Sequence, residues 1–450
     1  MKKILIATLL FFSLKISAQS FPDVTQYTLA NGLRVYIIPY GEISKTEMTL
    51  YVNCGKRNET PGQQYYSQLA ANCINFGSQK YDVTTLNDKL FTLGSSINTS
   101  AGNIYTSIDA GFLNDSLETG IEIFSESILH PSFPDKEIKQ NLSQLVDYNN
   151  PAKVDVNQQA NIFSNYWVYG SANPFGRTFY KDQLLKVTPA ILKEFYEFNF
   201  TPKNSRLVIC GKIDVAKIKQ LVEKYFGPWT ATYGEVNGAT FDNPVIKKKE
   251  YGFINHPGAV QCALQWNKTG PDPNAKEVLA FMAANSQFNN VLFKEIREKG
   301  GKTYGISSSY NRASGSNVFK ISTMVRSEEM LNTINLFDKT ILDFYTNGIT
   351  DDQLKKTKMA LKNNWLMIEN PASVIDFFNP MLFPKVDLQK NYLTLVDALT
   401  VEEVNKIIKK YFTPDAYKLM IAADEKLVDT QLQQLLGLKK FMPADIQVDQ

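Results

Sequence analysis

His130 and His256 are the only histidines in this 450-residue chain, so any site built on imidazole must use one or both of them. A helical zinc pair needs two histidines within about one turn of each other, and these two lie in different halves of the sequence. His130 follows an apolar helical pattern and precedes Pro131, and His256-Pro257-Gly258 reads as a turn. Neither setting supplies the acidic partner that would orient a catalytic histidine beside a serine, so both read as structural residues. Gly301-Lys302-Thr303 resembles the end of a phosphate-binding loop, but Ile296 stands where that pattern requires glycine. The context is also reversed, with a helix before the segment and a strand after it, whereas a phosphate cradle needs a helix N-terminus to follow. Cys54, Cys73, Cys210 and Cys262 show no C-x-x-C spacing. Three of them fall in apolar strand-like runs and read as buried free thiols, with a disulfide left open by the sequence.

The elements around these residues repeat. Phe200-Thr-Pro-Lys-Asn-Ser-Arg-Leu-Val-Ile-Cys-Gly211 aligns without a gap on Phe412-Thr-Pro-Asp-Ala-Tyr-Lys-Leu-Met-Ile-Ala-Ala423 at an offset of 212, and Thr188 and Thr400 precede them at the same offset, each as a helix N-cap. Phe124, Ile128 and Leu129 match Phe337, Ile341 and Leu342 at an offset of 213, and Pro134–Ile138 matches Thr350–Leu354 at 216. Three matches in one order imply two copies of one domain. Strands are expected at Leu33–Ile38, Glu47–Val52, Ser107–Phe112, Gln261–Trp266 and Phe319–Val325. Helices are expected at Gly62–Phe76, Leu117–Leu129, Lys276–Glu298 and Leu331–Tyr345. Their interleaving with strand pairs favours an α+β fold of two homologous domains, each a mixed sheet packed with helices, over a doubly wound parallel sheet. The expected domains are 20–230 and 251–450, joined by a linker at 231–250 that is rich in glycine and lysine.

Hydrophobic residues make up 44% of the chain and charged residues 21%, the range of globular proteins. Lys2-Lys3, an apolar run from Ile4 to Leu14 and small residues near Ala18 read as a signal peptide over 1–19, too short to span a bilayer. No later segment is long and apolar enough to span either, so the sequence implies a soluble, exported protein, periplasmic or secreted. The net charge of +3 equals the three lysines of that leader, and an uncharged mature chain argues against a nucleic-acid partner.

Tyr27-Thr-Leu-Ala-Asn-Gly-Leu-Arg-Val-Tyr36, Gly55-Lys-Arg-Asn-Glu-Thr-Pro-Gly62 and Phe200-Thr-Pro with its following strand resemble landmarks of the pitrilysin and insulinase family of zinc peptidases. The likeness covers almost the whole chain after the leader and is strongest to the subunits related to mitochondrial processing peptidase. It implies a pitrilysin-like fold. In active members H-x-x-E-H lies on the helix after the Pro-Gly landmark, and aligning its Gly-Ser ending on Gly77-Ser78 sets Gln68, Ala71 and Asn72 in those places. Amides are weak zinc donors and Ala71 has no group to take a proton from water. The third ligand is expected near Tyr148, with Asn141 one helical face earlier and Asp147 the nearest acid. The resemblance further makes Arg297 and Tyr304, seven residues apart across Gly300-Gly301, the candidate substrate-binding pair. Together these imply a chain with no metal and no catalytic residue of its own. It would serve as partner to a homologous H-x-x-E-H subunit that holds the zinc, with unfolded peptide as substrate. The alternative is an inactive structural or peptide-binding homologue with no part in hydrolysis.

Overall fold

The computed structural model describes residues 21–148, 154–177, 184–301, 303–310, 316–366, 368–382 and 391–446. The leader and Lys302 lie outside them. The first half contributes β1 (Thr25–Thr28), β2 (Arg34–Pro39), β3 (Lys45–Val52), β4 (Asn98–Ala101), β5 (Thr106–Leu113) and β6 (Ser205–Gly211), ordered β1-β2-β6-β3-β5-β4 in one six-stranded sheet. The second contributes β7 (Glu250–Asn255), β8 (Gln261–Thr269), β9 (Thr303–Tyr310), β10 (Val318–Arg326), β11 (Lys418–Ala423) and β12 (Lys439–Phe441), ordered β12-β7-β11-β8-β10-β9. The fold is therefore α+β, two mixed sheets of matching order packed with helices.

The repeat in the sequence is a repeat in register. Arg206 of β6 lies opposite Arg34 in a parallel pair, and Lys418 of β11, 212 residues later, lies opposite Glu250 in the equivalent parallel pair. Phe112 opposes Thr46 across β5 and β3, and Val325, 213 residues later, opposes Cys262 across β10 and β8. Only the outer strand differs: β1 runs antiparallel to β2, whereas β12 runs parallel to β7.

Each sheet buries one face under helices whose apolar residues recur at helical spacing. Ile121, Phe124 and Ile128 of the helix Leu117–Leu129 are buried in the first core, and Ile334, Phe337 and Ile341 of the helix Met330–Asn347 fill the second. Gly120 lets the first of these helices lie directly on the sheet, since a Cβ there would fall 2.4 Å from the Phe112 ring.

The other face of each sheet is covered from the opposite half. The helix Val156–Tyr169 sets Val156, Ala160 and Phe163 against Ile254, Ala263, Met420 and Ala422 of the second sheet. In return the helix Pro371–Phe378 sets Val374, Ile375 and Phe378 against Tyr36, Ile38, Val208 and Cys210 of the first, with the Phe378 and Tyr36 rings 5.2 Å apart, edge to face. Both helices start on a side-chain cap: Asp155 accepts from the N–H groups of Asn157 and Gln158, and Asn370 from that of Ser373. His256 Nδ1 and Gln159 Oε1, 2.9 Å apart, add a polar tie between the halves. All four cysteines are buried free thiols. No described helix is long and apolar enough to cross a membrane.

Candidate functional site

The helix Tyr66–Asn72 has no side-chain cap of its own. The buried Glu59 carboxylate takes that place, accepting from the N–H groups of Tyr65 at 3.1 Å and Ser67 at 3.0 Å. Burial raises the Glu59 carboxyl above its usual range, and the Ser67 donors work against that rise. Tyr65, at φ 70°, turns the chain into the helix from the left-handed region. Tyr66, Leu69, Ala70 and Ala71 then face the first core, with the Tyr66 and Phe195 rings 5.7 Å apart. Ala71 is fully buried, so the place of a general base has become part of the packing.

Gln68 and Asn72 lie on the other side of this helix. They face the edge strand β4 and the helix Asp135–Tyr148. Gln68 Nε2 donates to Asn72 Oδ1 at 2.7 Å, Asn72 Nδ2 donates to Asn141 Oδ1 at 3.0 Å, and Thr99 Oγ1 donates to Asn72 Oδ1 at 3.1 Å. The Ala101 N–H closes the network on Gln68 Oε1 at 3.0 Å. That last contact orients all the others. A backbone N–H can only donate, so the Gln68 oxygen must face β4 and its amino group Asn72. The Asn72 oxygen therefore receives, and its amino group turns to the Asn141 oxygen. Asn141 is thus the residue of that helix that meets Gln68 and Asn72. The expected Tyr148 lies two helical turns further on and is 72% exposed.

This donor set does not fit zinc. Every amide oxygen in the network already accepts a hydrogen bond, that of Asn72 two, and a neutral amide is a far weaker zinc donor than imidazole, thiolate or carboxylate. Among the described residues no three of His, Cys, Asp and Glu come together as a metal-binding group.

Arg297 and Tyr304 flank the end of the long helix of the second half. The helix Val278–Leu292 widens over Phe293–Lys299, where Gly300 N–H reaches back five residues to Glu295 O at 3.1 Å. Gly301 then ends it at φ 59° in the left-handed region, with its N–H on Arg297 O. The Arg297 guanidinium lies 4.5 Å from the centre of the Phe293 ring. Tyr304, the second residue of β9, is 91% exposed. No hydrogen bond joins the two side chains in this conformation.

Thr99 escaped sequence reasoning, and Asn141 stood in it only as the neighbour of the expected Tyr148. Thr99 gave no signal, because it becomes part of the site only through the edge strand. Asn141 was within reach, since it shares a helical face with Tyr148 and only the choice of turn was open.

The sequence matches a family model described as Insulinase (Peptidase family M16) over residues 39–167, and one described as Peptidase M16 inactive domain over residues 186–361. It is 22% identical over 401 residues to an uncharacterized zinc protease of Rickettsia felis, a span of 84% of this chain and 90% of that one. Among solved structures, the peptidase M16 inactive domain from Pseudomonas fluorescens superposes with a TM-score of 0.80 at 20% identity, covering 89% of this chain and 98% of the other. A protease from Helicobacter pylori gives 0.78 at 17% identity, covering 90% and 100%. The periplasmic protease PqqL from Escherichia coli gives 0.70 at 16% identity, with 94% of this chain matched to 49% of that longer one.

Proposed function

The chain belongs to peptidase family M16, the insulinase family, and from that membership we propose that it serves as the zinc-free partner subunit of a heteromeric peptidase. The carrying observation is the amide network: Gln68 and Asn72, at positions the resemblance assigns to zinc ligands, bond to each other and to Asn141 with their oxygens engaged, and Ala71, at the position it assigns to the base, is buried. Zinc and general base would come from a homologous H-x-x-E-H subunit. This chain would contribute half of the peptide chamber, and Arg297 and Tyr304 as substrate-binding groups. Two observations support that role. The helix carrying Arg297 widens into the five-residue hydrogen-bond pattern that recurs at functional sites. The likeness to half of PqqL shows that a protein about twice this length contains a unit of the same fold, so a chain of this size would pair with a second one. The leader over 1–19 and the periplasmic PqqL relative support export.

Purification of the native protein from its source, followed by mass spectrometry of what accompanies it, tests the reading. An H-x-x-E-H homologue in stoichiometric amount, with chelator-sensitive cleavage of unfolded peptides only in the mixture, is the expected result. A single species, with no stimulation of any such homologue encoded beside it, would leave the alternative of a structural or peptide-binding protein. That alternative draws on the Arg297–Phe293 stack, which holds the guanidinium without any substrate.

A further inference from the structure

A cavity of about 300 Å³ lies between the halves, bounded by β9 and β10, the helix Val156–Tyr169, and the first half near Lys56, Asn103 and Phe175. Among the described residues its lining contains two lysines and no carboxylate. Lys320 Nζ donates to Asn161 Oδ1 at 2.6 Å and to Asn165 Oδ1 at 3.0 Å, one helical turn apart. Both acceptors are neutral. An ammonium carries three donors, so one N–H of Lys320 is left without a protein acceptor among the described residues, and no described carboxylate lies within ion-pair distance of either lysine. Burial pushes the Lys320 ammonium down to about 8, as expected for a cation with no counter-ion.

The repeat shows that the fold does not require a cation here. Ser107 of β5 is the register equivalent of Lys320, 213 residues earlier, and it bonds to Asp109. The equivalent cavity, of about 320 Å³ beneath the helix Pro371–Phe378, is lined by Glu47, Asp109 and Asp376 and has no lysine or arginine among the described residues. One architecture thus carries opposite charge in its two copies.

We propose that the cavity beside Lys320 binds the carboxylate of a short peptide. Lys320 supplies the charge contact, its third N–H pointing the chemistry to an anion, with Lys56 adding a second positive charge at the exposed rim. The remaining polar wall consists of neutral amides and hydroxyls, among them Asn103, Ser309 and Ser316, which match the donors and acceptors of a peptide backbone, and Phe175 offers an apolar surface. Among the described residues the lining holds two lysines and no guanidinium fork, a set that suits a singly charged carboxylate better than a phosphate. The described lining comes from one chain, so the site does not depend on the partner-subunit reading.

Titration calorimetry on the full isolated chain at neutral pH tests this with three probes: acetyl-Ala-Ala-Ala-Phe with a free carboxylate, the same peptide as its C-terminal amide, and acetyl-Ala-Glu-Ala-Phe amide. Binding of the free acid, at least tenfold tighter than that of the neutral amide, is expected. Binding of the Glu peptide as well identifies any carboxylate as sufficient, and its failure restricts the site to a chain terminus. Lys320→Gln, which can still hydrogen-bond, should weaken binding at least tenfold, and Lys320→Arg should retain it. Thermal unfolding of both variants checks that they fold. Equal affinity for acid and amide, no binding of any probe at millimolar concentration, or a folded Lys320→Gln protein that binds like the unmodified chain would overturn the proposal.

Discussion

Asn72 and Asn141, 69 residues apart in sequence, are joined side chain to side chain at 3.0 Å, and this bond ties the helix Tyr66–Asn72 to the helix Asp135–Tyr148. Asn72→Leu keeps the volume and removes every bond at the centre of the network, leaving Gln68, Thr99 and Asn141 without their partner. Because Asn72 is half-buried, water can reach part of what is stranded, and a loss of about 1–3 kcal/mol is expected. A lower urea midpoint at unchanged slope is the readout.

Restoring the chemistry at the same three positions should restore the metal. Gln68→His, Asn72→His and Asn141→Glu together place two imidazoles and a carboxylate on side chains that already meet. Metal analysis after dialysis should give about one zinc per chain, against none for the same variant built with Tyr148→Glu in place of Asn141→Glu. Peptide cleavage should stay absent, since Ala71 remains buried and offers no base.

Much of this was legible in the sequence because repeats preserve register. Offsets of 212 and 213 read from Phe200 and Phe124 reappear as the β6/β11 and β5/β10 equivalences, and the helix Leu117–Leu129 falls on the residues its periodicity indicated. The crosswise helices were not legible. An apolar face such as Val156, Ala160 and Phe163 says that something is buried, and says nothing about which sheet buries it. The amide network was half visible: Gln68 and Asn72 followed from the family resemblance and Asn141 stood beside the expected Tyr148, whereas Thr99 depended on tertiary placement.

Tyr304 and Arg297 should act only in an assembled peptidase. A phenol placed at the developing oxyanion is worth about 10²-fold or more in turnover, so Tyr304→Phe should lower kcat by that order in the complex, and Arg297→Ala should chiefly raise KM. At 91% exposure the Tyr304 side chain contributes little to packing, and the unfolding midpoint should not move. Unchanged kinetics in a complex carrying both substitutions would remove the pair from the mechanism.

The crosswise helices predict that the halves hold together without a covalent link. A chain cut once within 231–250 should still elute as one particle, because each outer sheet face is buried by the other half. Phe378→Ala, which empties a fully buried site beside Tyr36, should cost about 3–5 kcal/mol and, combined with Phe163→Ala, should release the two fragments as separate species.

Lys268 should give the protein a pH signature. Its Nζ is buried and donates to Thr413 O and Ala416 O, each at 2.6 Å, two bonds that a neutral amine can also make. Burial pushes this group down to about 7, outweighing Asp415 and Asp338, which favour the charged form. The unfolded lysine titrates near 10.4. Between those values the unfolded chain holds more protons at this site than the native one, so its contribution to stability rises as the pH rises. Below the folded value both states are protonated and the cost of the buried charge is present in full. The buried thiols act in the opposite sense: Cys73 and Cys210 are both raised by burial to about 12, and so lose stability as unfolded thiols ionise. The informative quantity is therefore the difference between the unmodified chain and Lys268→Met, measured as urea midpoints near pH 7 and pH 9. The unmodified chain should gain stability relative to the variant over that interval. Parallel shifts in the two proteins would mean that Lys268 remains charged in the fold, held so by Asp415 and Asp338.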